Sequence, residues 1–435
     1  MIKFYVLLKI LIPKWRHHLL LAAYSGLLSI LCYTTAIADQ NHYNNLLIGD
    51  RAAGLGGAYT AIADDPSGLY YNPAGIVHAL GSNISGSMNA LHMTTTTYKN
   101  ALGNNTNWKR ESSTLLPSFF GVFQPLGAGK IGFSYAVLDS MQEDQDQTFT
   151  NIAGAKKTID SYTINFNIQD IVYNFGPSYA FEYSERLSFG ITLYGHSRKK
   201  EQIIHELIAI NAADGGDFEQ GSQYLSIEET GVRPILGVMW SPRDKFSLGA
   251  SLSRTYILSS DINKQETFKA QGQSSIALAQ VPSDEKRQLP LTFTLGAAYF
   301  YDASLLLSTD ITFYDKTNDN VTGYRERVFN IALGAEYYID SELALRAGFY
   351  TNNANTPTLK STGANTSQPE HVDLAGMSFS TSHFTRNSVL TLGAIYSWGD
   401  GEAQLFAPDT SDGSYNIQEV KMNSLTLFLS GTYSY

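Results

Sequence analysis

Cysteine is nearly missing: Cys32 is the only one in 435 residues. It lies in a leader-like stretch, so the chain that follows has no disulfide, no thiolate metal site and no cysteine nucleophile. Basic residues are few as well, with 30 Lys and Arg against 40 Asp and Glu. That balance does not suit nucleic acid, whose phosphates need a basic face. Past residue 38 no apolar run reaches the length of a transmembrane helix. No G-x-S-x-G, H-E-x-x-H or P-loop pattern occurs, so nothing points to an enzyme, a cofactor or a metal.

What is present begins with an export signal. Lys3, Lys9, Lys14, Arg16, His17 and His18 precede an apolar run from Leu19 to about Leu31, and Ala36-Ile37-Ala38 closes it. A basic front, an apolar centre and an A-x-A site predict a signal peptide over residues 1–38. An uncleaved anchor is the alternative, since Leu19–Ala38 is 20 residues, but Ser25, Ser29, Thr34 and Thr35 dilute it. Losing four basic residues with the leader leaves 26 basic against 40 acidic, a net −14. Aromatics make up 12% of the chain, with 27 tyrosines.

Much of the rest alternates with period two. In 245–256, Phe246, Leu248, Ala250, Leu252 and Tyr256 share one face, and Ser247, Gly249, Ser251, Ser253 and Thr255 the other. The last segment repeats this, with Leu425, Leu427, Leu429, Tyr433 and Tyr435 on one side. A soluble sandwich alternates too, burying its apolar faces between two sheets. Connection lengths separate the cases. Fourteen segments can be drawn, and every second connection is a turn of one to five residues: 126–128, 185, 241–244, 301–302, 340–342 and 383–387. The others, such as 140–170, 199–225 and 259–287, are mostly long. Short turns on one rim and long loops on the other describe a bacterial outer-membrane barrel. The expected fold is all-β: a transmembrane antiparallel β-barrel of about 14 strands over 81–435. Pro117, Pro177, Pro234 and Pro290 fall in strands descending from long loops, where a strand start or bulge tolerates a residue with no N–H.

Residues 39–80 carry too much glycine and too little alternation for barrel wall, and are expected to fold into the lumen as an N-terminal plug. Within them, 51–75 reads Arg-Ala-Ala-Gly-Leu-Gly-Gly-Ala-Tyr-Thr-Ala-Ile-Ala-Asp-Asp-Pro-Ser-Gly-Leu-Tyr-Tyr-Asn-Pro-Ala-Gly. This run resembles the plug of the FadL/TodX family of outer-membrane transporters for hydrophobic compounds. The resemblance implies a Gram-negative outer-membrane location, lipid around the wall and a monomeric barrel. It also implies a hydrophobic small-molecule ligand, such as a long-chain fatty acid or aromatic hydrocarbon, admitted by outer-loop capture and plug-gated passage. The same plug also resembles those of PorV-like barrels, which serve as protein partners in secretion.

Two sets of candidate residues follow. In the plug, Asp64, Asp65, Asn72, Pro73, Ala74 and Gly75 form turn and cap signals. They either shape a compact hatch or hold it against the wall, with inward bases such as Arg198, Arg233 or Arg346 as partners for its acids. In the outer loops, Glu201–Ala212 reads as a helix because Ile203, Ile204, Leu207 and Ile208 recur at helical spacing. With Ile276 and Leu278 of the next long loop it offers a capture groove, or simply packs on neighbouring loops. His196 lies at a lumen-facing position near serines, which chance alone provides. Glu143–Asp146 and Asp315–Asp319 are acidic stretches that read as solvated charge; their spacing does not fit a calcium loop.

Overall fold

The computed structural model describes residues 41–79, 81–102, 105–153, 158–214, 216–270, 276–360, 368–405 and 416–435. The proposed leader and residues 39–40 of the plug lie outside the described residues. Fourteen antiparallel strands close into a barrel. They are β1 (Asn83–Tyr98), β2 (Trp108–Leu126), β3 (Gly129–Ala153), β4 (Thr158–Ser184), β5 (Leu187–Ile210) and β6 (Phe218–Arg243). The next two are broken: β7 runs in Phe246–Ser253 and Tyr256–Ala270, and β8 in Ala277–Ser283 and Thr292–Phe300. Then come β9 (Leu305–Tyr314), β10 (Val328–Tyr338), β11 (Leu343–Asn352), β12 (His371–Phe384), β13 (Ser388–Leu405) and β14 (Asn416–Ser434). Closure is between β14 and β1, in register from Asn83↔Ser434 to Tyr98↔Val420, with Tyr435 N–H donating to Ser82 O. Among the described residues no helix is long and apolar enough to cross a membrane.

Burial runs opposite to that of a soluble protein. Ser134, Ser188, Thr192, Ser380, Ser382 and Thr391 are fully buried, while Ile191, Leu236, Leu295, Met377, Leu390 and Leu392 are exposed on the outside. Alternate residues point to opposite faces of a strand, so one pattern supplies a lipid-facing wall and a small polar lumen face. All six short turns join neighbouring strands on one rim, as the sequence predicts.

The opposite rim differs from expectation. The stretches 140–170, 199–225 and 259–287 are largely continuations of β3 to β8 rather than loops. A tilted strand of ~10 residues spans a bilayer, so β4, at 27 residues, projects well beyond it. Glu201–Ala212 is not a helix; its residues to Ile210 belong to β5. Ile203 and Leu207 point outward, and Ile204 is buried. The four apolar residues do recur at helical spacing, but β5 is paired on both sides here, with β4 from Ile159 and β6 from Phe218. Two ladders of backbone bonds override a weak local period, and isoleucine favours the extended form.

Residues 41–79 fill the bore. They form a short helix α1 (Asp50–Gly54), a turn of helix α2 (Gly68–Tyr71) and a 3-10 helix (Pro73–His78). Inward-facing wall glycines receive them. A Cβ on Gly249 would lie 2.1 Å from Thr60 O, one on Gly348 2.2 Å from Gly56 N, and one on Gly190 2.4 Å from Ala74 N. Gly190 pairs with Gly237, and Gly249 with Gly296 across the strands, so the bare backbone forms a belt. Gly86 and Gly431 on β1 and β14 face outward, away from the plug, and have open space around them. Replacing Gly249 or Gly348 by valine is expected to cost more than the ~1–3 kcal/mol of ordinary overpacking, because backbone cannot yield. Gly431→Val is expected to be tolerated. The temperature of the heat-modifiable gel shift distinguishes the two classes.

Candidate functional site

Among the plug's many ties to the wall, three bear on the predicted site residues. Asn72 is fully buried and caps the 3-10 helix, its Oδ1 accepting from Ala74 N at 3.2 Å. Its Nδ2 donates to Thr60 O (2.8 Å) and to Val238 O on β6 (3.0 Å), so one side chain ties plug to plug and plug to wall. Pro73 occupies the first helical position, where its missing N–H costs nothing. Gly75 and Gly68 both abut Ala63 O, leaving 2.5 and 2.2 Å for a Cβ, and Ala63 itself is left-handed at φ 41°. Asp310 on β9 forms the second anchor, accepting from Tyr59 N (3.0 Å) and Thr60 N (2.9 Å).

The third anchor is ionic, and its polarity is the reverse of expectation. The plug supplies the base: Arg51 donates to Asp64 (2.6 Å) within the plug and to Glu336 on β10 (2.6 Å). Arg346 does point inward but meets the same Glu336 at 2.9 Å. Arg198 pairs with Asp170 instead (2.6 Å), and Arg233 lies over the Tyr70 ring at 5.2 Å. Asp65 takes no base; it accepts from Ser67 N at 2.8 Å and from the Ser67 hydroxyl. Burial, followed by the charge of Asp50, pushes its carboxyl up to about 6.

Above the plug lies a cavity of about 160 Å³. Arg233, Arg254, Arg287 and Arg325 line it, against the single carboxylate of Asp139. Arg287 is held by Glu229 at 2.7 Å. Arg233 reaches Ser253 Oγ at 3.4 Å and the Tyr70 ring, and Arg254 the Tyr256 ring at 5.4 Å, so among the described residues neither has a carboxylate partner. His196, dismissed on the sequence alone, also lines this space. Its Nδ1 meets Asn174 Oδ1 at 2.9 Å and its buried Nε2 is unbonded. Tyr43 of the plug forms another wall and stacks on Tyr314 at 4.7 Å.

One side of the barrel is open next to this cavity. The β2–β3 ladder runs only from Leu126↔Gly129 to Phe119↔Ala136. Above it β2 pairs with β1 alone and β3 with β4 alone. Pro117 lacks the N–H to continue the ladder, and a register shift against β4 falls between Val137 and Asp139. Behind the gap is an apolar cluster that joins plug to wall: Leu46, Ile48, Leu116, Phe119, Ala136 and Val137, with Leu138 beside it. Leu138 and Asp139 also line the cavity. The gap therefore lies between the cavity lining and the outer face of the wall.

Ile203 and Leu207 lie far from this site on the outer face of the extended wall, as does exposed Leu278, which pairs with Thr267 of β7. Ile208 is half-buried and Ile276 exposed. Ile204 faces the opposite way, into a cluster with Phe166 and Ile168. The six do not enclose a groove. Inward parity could have marked Arg233 and His196, but their convergence across strands needs the register.

No protein-family model matches the sequence, and none of the curated protein sequences does. Solved structures do match. A Pseudomonas aeruginosa FadL homologue aligns with TM-score 0.61 at 12% identity, over 90% of this chain and 99% of its own. The P. putida toluene transporter TodX gives 0.60 at 14%, with the same coverage. This is the FadL/TodX fold. The monoaromatic hydrocarbon channel CymD shares it, with TM-score 0.56 at 14% identity over 90% and 99% of the two chains.

Two predictions arise from the FadL-like plug and its anchors. Replacing Arg51 by alanine leaves Glu336 to Arg346 and Asp64 to Tyr59, so the cost is expected to fall below the ~3–5 kcal/mol of a fully stranded buried charge; plug protease resistance reads this. A carboxyl raised in the folded state holds extra protons there, so stability falls as pH rises through about 6. Plug resistance is expected to be greater at pH 5 than at pH 7, with Asp65→Asn flattening the difference.

Proposed function

We propose that this chain is an outer-membrane channel that admits hydrophobic molecules and releases them sideways, through the window between β2 and β3. The observation that carries this reading is the ladder's stop at Phe119↔Ala136, directly over an apolar cluster. A greasy solute gains nothing from a polar lumen but loses little on passing between Leu116, Val137 and lipid. The plug, seated on glycine backbone and tied by Asn72, Asp310 and Glu336, favours a path that leaves it in place. The plug's acids and its Asn72–Gly75 turn then serve as fixings, and gating by plug displacement is the weaker form of the proposal. Two proteins of this fold are a toluene transporter and a monoaromatic hydrocarbon channel, which makes such compounds the first ligands to try.

The arginines extend the ligand class. Arg233 and Arg254, lacking carboxylate partners, suit the head of an anionic amphiphile such as a long-chain fatty acid, with its tail toward Leu138 and the window. Uptake into cells lacking their own transporter tests both parts. Deleting Leu138 together with Pro117→Val, which lets the ladder continue, is expected to abolish uptake of oleate and toluene alike. Arg233→Ala is expected to lower oleate uptake about tenfold, in line with ~1.5–3 kcal/mol for a bond to a charged group, and to spare toluene. Uptake of neither compound by the native protein, with a stable protein complex recovered instead, would favour a PorV-like role in secretion.

A further inference from the structure

Above the window the free edges of β2 and β3 do not gape. They are joined by side chains, in a pattern that follows the backbone period. Gln145 Nε2 donates to Glu111 O at 2.7 Å and Gln147 Nε2 to Lys109 O at 2.7 Å. The two glutamines are two residues apart, as are the two carbonyls, so their amides stand where a neighbouring strand's N–H groups would. Gln147 Oε1 in turn accepts from Trp108 Nε1 at 2.8 Å, and Gln142 N–H donates to Ser112 Oγ at 3.1 Å. On the inner face Arg110 donates to Glu143 at 2.7 Å, with Glu143 buried. A run that reads as solvated acid in the sequence is thus a fastening.

We propose that this side-chain suture, with Gln145 and Gln147 at its centre, sets the upper limit of the window and so the size of molecule that passes. The inference rests on the lateral path proposed above. Three features support it. A joint made through glutamine side chains is wider than the ~4.8 Å of a backbone ladder, so it can part without breaking either flanking ladder. Outward residues turn from Leu115 and Pro117 to Ser113, Glu111 and Lys109 at this level, which places the suture in the polar zone, where water can replace its bonds. Below it, from Ser113 to Ser118 and from Val137 to Met141, no backbone pairing joins the two strands. An apolar slot thus ends at a polar bar that can lengthen it.

The full mature chain in liposomes, offered octanoate and a pyrene-tailed carboxylate, tests this. Gln145→Ala with Gln147→Ala is expected to raise pyrene uptake several-fold while octanoate uptake holds. Because Cys32 lies in the proposed leader and no other cysteine follows, Ser113→Cys with Gln142→Cys, both on the outer face, can be joined by a short bis-maleimide, which alkylates both thiols. The cross-linked form is expected to lose the slow pyrene flux that breathing of the suture permits, to keep octanoate, and to recover with a cleavable linker. An unchanged pyrene-to-octanoate ratio in both proteins overturns the inference while leaving the lateral path standing, provided the Leu138 deletion with Pro117→Val blocks octanoate. If neither probe crosses in the native protein, the lateral path fails and this inference with it.

Discussion

The structure depends on close contact between plug backbone and wall backbone. Gly190, Gly237, Gly249, Gly296, Gly334 and Gly348 each face the lumen where a Cβ would strike the plug or Asp310. Without side chains in the way, the plug comes near enough for Asn72 to bond Val238 O and for Asp310 to take two plug N–H groups. Each of those polar atoms is buried, so a looser seat would leave several unsatisfied at once. The glycine belt therefore makes the hydrogen bonds possible, and the hydrogen bonds make the belt necessary.

On the lateral path proposed above, that seat puts the exit in the wall: with the bore occupied, a solute leaves where the wall's hydrogen bonding is interrupted. The interruption falls where sequence makes it cheap, at Pro117 and at the register shift beside Val137 and Asp139. Above the band, two of the freed carbonyls, Glu111 O and Lys109 O, are taken up by glutamine amides. Cavity, gap and plug meet at Leu138, Tyr43 and Leu46, so the plug contributes a wall to the site.

Much of this was legible in the sequence. Period-two alternation marks many of the fourteen strands, and the short turns fix one rim. The same period failed at the other rim. Outside the membrane the lipid no longer demands apolar residues, so β3 to β6 continue as polar strands that look like loops. Ile203 and Leu207 sit among them at a spacing that fits a helix equally well, and only pairing on both sides decides. Partner choice was illegible for another reason. Arg51 is one base in a glycine-rich run, and nothing local says that Glu336, 285 residues on, will face it. Arg233 and Arg254 come together over Tyr70 and Tyr256 only once the register is fixed.

The seam that shuts the cylinder carries Gly86 and Gly431. The two glycines pair across β1 and β14 on the outer side of the wall, while on the inner side Phe428 of β14 packs with Leu47 and Ala53 of the plug. Zipping the last seam therefore completes the cork's seat in the same step. During biogenesis the cork can be set on a half-rolled sheet and the cylinder then closed onto it, with Tyr435 and Ser82 as the final clasp.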